Sequence, residues 1–205
     1  MDIACWAKAG FEGPLFLAGG SVGAAYTAYA AAGAPVNAMT CLNLFDFGRL
    51  TDGLGVSRLA SLGAVPQIPE LLAASLRVLA VPLGWLRQPF GLFGAFDQLM
   101  DQRDGDFQRR WDADPIPPRL VSLRSLASTM ITPPAIPFER NPVPTLVINQ
   151  AADRMVHPAV TRGNYQRLGG PKRYLEIPFG HWSSQPAFWE AIVQASHAWF
   201  QEYSP

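Results

Sequence analysis

The chain has 205 residues, 49% of them hydrophobic, and its 16 basic and 16 acidic side chains leave no net charge. That length supports one well-buried core with room for an inserted subdomain. The charge balance, with no run of 4–8 Lys/Arg residues, removes the case for nucleic acid or an anionic membrane as the main partner.

The opening stretch MDIACWAKAGFEG has an acid at position 2 and no long apolar run, so it does not read as a signal peptide. A short helix is expected over about 2–9, a strand at 14–18, a helix from about 21 to 32 and a strand near 36–42. Gly33 and Pro35 punctuate the end of that second helix. The strands are continuous apolar runs, as parallel strands covered on both faces require. Cys5 and Cys41 are too few for a disulfide framework and read as free thiols in a reducing compartment.

Residues 46–140 differ in character. IPELLAASLRVLAVPLGWL and FGAFDQLMDQRDGDFQRRW carry helical spacing between Pro/Gly breaks, with no convincing strand. The most apolar segment, LLAASLRVLAVPLGWL (71–86), is interrupted by Arg77 and Pro82. It falls short of the ~18–20 uninterrupted apolar residues of a membrane span, so a soluble, cytoplasmic protein is expected. From 141 the first pattern returns: a strand VPTLVINQ (143–150), a helix PAVTRGNYQRLG (158–169), a strand KRYLEIP (172–178) and an amphipathic closing helix over 186–203. Strand–helix alternation on both sides of a helical insert predicts an α/β fold with a mainly parallel sheet. Residues 1–45 and 141–205 form its core and 46–140 a helical cap or lid.

At the first strand–helix seam stands Gly19-Gly20-Ser21-Val22-Gly23. A Gly-x-Ser-x-Gly turn so placed lifts the serine above the strand ends on a strained backbone. Gly19 and Gly23 spare the turn bulk, and the Val22 N–H points at a developing oxyanion. The alternative is a glycine-rich turn that cradles a phosphate; the absence of a following Lys-Ser/Thr excludes a P-loop. A serine hydroxyl needs a histidine base held by an acid. His197 lies inside the closing helix, and His157 precedes Pro158 where a helix starts, which fits a cap. His181 sits in the loop FGHWSSQP after a strand, where function gathers in open sheets, with Gly180 giving freedom to turn the ring inward. Asp153, just past the strand PTLVINQ, is the candidate acid. Asp46, after the second strand, is its rival, and Glu176, inside a strand, suits the role less. The chain order is then Ser21, Asp153, His181.

At these residues the chain resembles the α/β-hydrolase superfamily of serine esterases, lysophospholipase- or monoglyceride-lipase-like enzymes and serine aminopeptidases. LFLAGGSVGAAYTAYAA looks like its nucleophile elbow, PVPTLVINQAADRMVHP like its acid segment and YLEIPFGHW like its histidine loop. Gln150 stands where the family usually has Gly, which bears on loop shape. The resemblance implies a fold of eight strands, of which this chain holds only the C-terminal half. The loop that normally donates the second oxyanion N–H is not represented. Strand 14–18 is then expected at an apolar sheet edge. Either the chain is an N-terminally incomplete version of a longer enzyme, which the start at Met1 inside a family helix favours, or another segment or a second copy covers that edge.

The expected function is hydrolysis of a carboxylic ester with an apolar acyl or aromatic portion, by an acyl-enzyme on Ser21. Trp85, Leu86, Phe90, Leu92, Phe93 and Phe96 supply an apolar lid. No metal or organic cofactor is implied, because no His/Cys/Asp cluster has ligand spacing. A catalytically impaired fragment that binds a small apolar ligand or a partner chain is the alternative, and cleavage of an activated C–C bond or an amide is a weaker third.

Overall fold

A computed structural model describes residues 3–55, 67–89, 91, 94–116, 119–130 and 133–205. Two strands in which every residue is buried set the architecture, β2 (Ala38–Leu42) and β5 (Thr145–Gln150). Between β1 (Phe16–Gly20) and β6 (Lys172–Ile177) they form a four-stranded sheet of order β1-β2-β5-β6, parallel throughout.

Successive side chains on a strand face opposite ways, and both faces here are apolar and covered. Met39, Cys41 and Val147 pack on one side against Ala24, Ala28 and Ala31 of α2 (Val22–Ala32) and against Phe138. Ala38, Leu42, Leu146 and Ile148 pack on the other against Phe188, Ile192 and Trp199 of α8 (Pro186–Glu202). The α2 alanines recur at helical spacing and let its backbone come close to the sheet, so close that the Cys41 thiol donates to the Ala24 carbonyl at 3.6 Å. Burial in this layer pushes the Cys41 thiol up to about 12. Neither cysteine forms a disulfide among the described residues; Cys41 is buried and Cys5 half-buried.

The remaining helices of the two flanks are α1 (Ile3–Gly10) and α7 (Pro158–Arg167). The expected flank elements are all present, with the first strand two residues later than predicted. Leu15 instead spends its N–H on the Asn37 side chain at 2.9 Å, so the ladder opens at Phe16. Among the described residues β1 pairs with β2 alone and is an edge of the sheet, with Phe16 stacked on Phe200 at 4.7 Å.

Between β2 and β5 lie α3 (Leu50–Gly55), α4 (Ile68–Leu79), β3 (Arg87–Pro89), α5 (Gly105–Ala113), β4 (Leu120–Ser122) and α6 (Leu123–Met130). The antiparallel pair β3–β4 corrects the expectation of helix and loop alone. Each strand is three residues long, and Arg-Gln-Pro has no apolar alternation to betray it. Among the described residues no helix is long and apolar enough to cross a membrane.

Candidate active site

Three chain segments deliver their side chains to the C-terminal rim of the sheet. Ser21 joins β1 to α2 with φ 54° and ψ −125°, and its N–H is tied to the Leu42 carbonyl at 3.0 Å. A non-glycine residue with positive φ carries real strain, and among the described residues only Ser21 and Asn43 do so. The turn is kept tight by what cannot fit beside it. A Cβ on Gly19 would stand 2.3 Å from both the Gly23 carbonyl oxygen and Thr27 Oγ1, and one on Gly20 would stand 2.8 Å from the Trp182 ring. A Cβ on Gly23 would meet nothing within 4 Å, so the steric demand falls on Gly19 and Gly20 and not on Gly23 as expected. Val22 opens α2, where the first N–H groups have no partner within the helix.

Asp153 lies in the turn between β5 and α7, shaped by its N–H to the Gln150 carbonyl at 3.2 Å. Its Oδ1 accepts from the N–H groups of Met155 and Val156 at 2.8 and 2.9 Å. Its Oδ2 accepts from Asn43 Nδ2 at 2.6 Å and pairs with His181 Nδ1 at 2.7 Å. Four donors converge on one carboxylate, so it is an acceptor throughout and the Nδ1 of His181 carries the proton. His181 Nε2 is thereby left as the acceptor, and it stands 2.9 Å from Ser21 Oγ. Both ends of the His181–Asp153 pair are closed to solvent, with side-chain exposures of 0%.

The structure thus brings Ser21, Asp153 and His181 into one line and keeps the other candidates away. Asp46 is spent elsewhere: it accepts from Tyr29 Oη at 2.5 Å, from the Gly48 N–H at 2.9 Å and from Arg167 at 2.9 Å. His157 caps α7, its Nδ1 accepting from the Ala159 N–H at 3.2 Å, and His197 is exposed on α8. Glu176 pairs with Arg162 on the surface. Gly180 plays a different part from the one expected. Its φ is not positive, and its role is close approach, since a Cβ there would fall 2.7 Å from the Asp101 Cα.

Asn43 is the member that sequence reasoning missed. It follows β2 with φ 53°, is buried, and donates to Asp153 across 110 positions of chain. An asparagine straight after a parallel strand is the only sign, because Asn tolerates the left-handed region. Asn43→Ala removes a bond to a buried carboxylate, worth roughly 1.5–3 kcal/mol, and places a Cβ-bearing residue without side-chain compensation at a strained φ. The urea midpoint is expected to fall by the equivalent of about 3 kcal/mol with an unchanged slope. Asn43→Gly, free of the backbone strain, is expected to recover about 1 kcal/mol of that.

Two apolar cavities open from Ser21. One of about 200 Å³ runs between Phe45, Phe47 and Leu126, and one of about 500 Å³ between Leu99, Trp111 and Trp182. Ser21, Val22, Phe96 and Met155 line both. Of the apolar residues expected over the site, Phe96 thus lines the cavities, whereas Trp85 is 74% exposed and Leu86 is half-buried and lines neither. Phe90, Leu92 and Phe93 lie outside the described residues.

No protein-family model matches the chain, and no curated protein sequence matches it significantly. Solved structures do. The monoacylglycerol lipase of Paleococcus ferrophilus is 19% identical at a TM-score of 0.60, over 94% of this chain and 70% of that one. The putative non-heme bromoperoxidase BpoC of Mycobacterium tuberculosis is 20% identical at 0.59, over 100% and 73%. A soluble variant of the monoglyceride lipase of Saccharomyces cerevisiae is 14% identical at 0.66, over 98% and 65%. These are α/β-hydrolase folds, and this chain has that fold in part, spanning roughly two thirds to three quarters of each.

Proposed function

We propose that this protein is a serine hydrolase that cleaves a carboxylic ester with an apolar acyl or aromatic portion through an acyl-enzyme. The reading is carried by one observation: Ser21 Oγ, the two nitrogens of His181 and Asp153 Oδ2 stand in line at 2.9 and 2.7 Å, at the floor of two apolar cavities. In this reading His181 Nε2 takes the Ser21 proton as Oγ attacks the ester carbonyl, and Asp153 stabilises the imidazolium. The Val22 N–H receives the oxyanion. His181 then returns the proton to the departing alcohol, and a water activated by the same nitrogen releases the acid. The names of two structural neighbours, monoacylglycerol and monoglyceride lipase, favour an ester over other acyl compounds.

The second reading, an impaired fragment that binds an apolar ligand or a partner chain, is favoured by the position of β1 at the sheet edge. One oxyanion donor fewer costs about 10²–10³ in turnover. A fluorophosphonate probe separates the two. Stoichiometric labelling of Ser21 in the folded chain is the expected result, and a folded sample that stays unlabelled overturns the hydrolase reading. Among labelled samples, p-nitrophenyl esters are expected to gain about fourfold in kcat/KM per added CH₂ until the cavity is filled, at roughly 0.8 kcal/mol each.

A further inference from the structure

The segment that carries His181 is gripped from one side along its whole length by residues 99–104 of the insert. The Arg103 guanidinium donates to the Pro178 carbonyl at 3.0 Å and lies 4.8 Å over the Phe179 ring. The Gly180 N–H donates to Asp101 Oδ2 at 2.6 Å. Trp182 gives its N–H to the Leu99 carbonyl at 3.1 Å and accepts from the Asp101 N–H at 2.7 Å, a parallel bridge beside Met100. Ser183 Oγ and Ser184 Oγ donate to Asp104 at 2.6 and 2.7 Å, and the Ser184 N–H does so at 3.0 Å. From 178 to 184 the described contacts to this stretch skip one residue, His181, whose ring is turned to Ser21 and Asp153.

Both carboxylates are buried, at 5% and 8% exposure, although they sit in a polar, otherwise surface-like stretch. Asp101 accepts from the Arg103 N–H, Nε and Nη2 and from the Gly180 N–H, and Asp104 from both Ser183 and Ser184, so every carboxylate oxygen has a donor. The Arg103 hydrogen bond holds Asp101 well below the usual carboxylate range. Burial works against ionisation of Asp104, but the Ser183 and Ser184 donors outweigh it and hold the group low. Neither carboxylate reaches the cavity floor or Ser21. We propose that Asp101 and Asp104 are positioning residues, through which the insert holds the backbone on either side of His181 and so fixes its imidazole against Ser21 and Asp153. The inference rests on the hydrolase reading for its effect on rate, and on geometry alone for its effect on the ring.

The full chain is compared with Asp101→Ala and Asp104→Ala, with Asp101→Asn and Asp104→Asn as conservative partners that keep one acceptor oxygen. Asp106→Ala, whose carboxylate is 81% exposed on the same segment, is the control. Two quantities are read: the fluorophosphonate labelling rate at Ser21, with KM for a short ester beside it, and the low-field proton resonance of the His181 Nδ1–H bonded to Asp153. A ring displaced by about 1 Å loses about 10²-fold in rate. The alanine variants are expected to show that loss with KM unchanged and the low-field resonance broadened or gone. The asparagine variants should recover part of both, and Asp106→Ala should match the parent. Should the alanine variants fail to fold, Ser183→Ala and Ser184→Ala loosen the same clamp while Asp104 keeps its backbone donor. Retention of the parent's resonance and labelling rate in the clamp variants overturns the proposal, as does an equal loss in Asp106→Ala. If the parent is never labelled yet its resonance vanishes in the clamp variants, the hydrolase reading falls and the positioning role stands.

Discussion

Ser21→Ala is expected to lower kcat/KM for an activated ester by about 10⁵–10⁶ while the fold survives. Residues that act as one nucleophilic unit lose nearly all their catalysis when the attacking atom is removed, and that loss is about 7–8 kcal/mol of transition-state stabilisation. In that reading the whole effect passes through one oxygen, because among the described residues Ser21 Oγ is the one hydroxyl bonded to His181 Nε2. The fold has little stake in that oxygen. The elbow is held by the Ser21 backbone, through its N–H to Leu42 and its carbonyl to the Ala24 N–H at 2.9 Å, and alanine keeps both. The melting transition should therefore shift by the equivalent of under about 1 kcal/mol. Steady-state hydrolysis of a p-nitrophenyl ester and a thermal melt on the same sample check the two halves together.

Asp153→Asn should cost about 10⁴ in kcat, by changing which nitrogen of His181 holds the proton. The substituted amide has one acceptor oxygen and one NH₂. The oxygen is claimed by the Met155 and Val156 N–H groups, which fix the turn at 2.8 and 2.9 Å. The NH₂ then faces Asn43 Nδ2 and His181 Nδ1, where the carboxylate had accepted at 2.6 and 2.7 Å. To avoid donor against donor, the imidazole moves its proton to Nε2 and presents N–H, not a lone pair, to Ser21. Lost charge-assisted bonds should also lower stability by about 2 kcal/mol. The low-field proton of His181 provides the check: it should vanish in Asp153→Asn and persist in Ser21→Ala.

Physical reasons separate what the sequence displayed from what it hid. Strands β2 and β5 were legible because every residue is buried, and neither AMTCL nor TLVINQ carries a charge. The meeting of Ser21, Asp153 and His181 was legible because each lies just beyond the C-terminal end of a strand, β1, β5 or β6, and the rim of a parallel sheet gathers such loops. The first strand was displaced by two residues because the Asn37 side chain takes the Leu15 N–H, a long-range bond without a local signal. Gly180 suggests, from the sequence, backbone freedom to turn the His181 ring inward, but it is a point of close approach to Asp101. Trp85, apolar and therefore assigned to the lid, points to solvent.

Asn43, Asp101 and Asp104 were hidden for a common reason. Each acts on a group far along the chain, Asn43 across 110 positions and the two aspartates across 79. Locally, Asp101 and Asp104 belong to DQRD, a stretch whose charge reads as a solvated helix face. Only the docked histidine loop reveals that both are buried. Strands β3 and β4 were hidden by shortness: three residues cannot display a period.

Acid-quenched incubation of the protein with a p-nitrophenyl acyl ester, followed by peptide mass mapping, tests the central assignment most directly. The expected result is a single acyl adduct on the peptide containing Gly19-Gly20-Ser21, formed with a burst of p-nitrophenol and absent from Ser21→Ala. A folded sample that turns over the ester with no adduct, or that carries the acyl group on any other side chain, would contradict it.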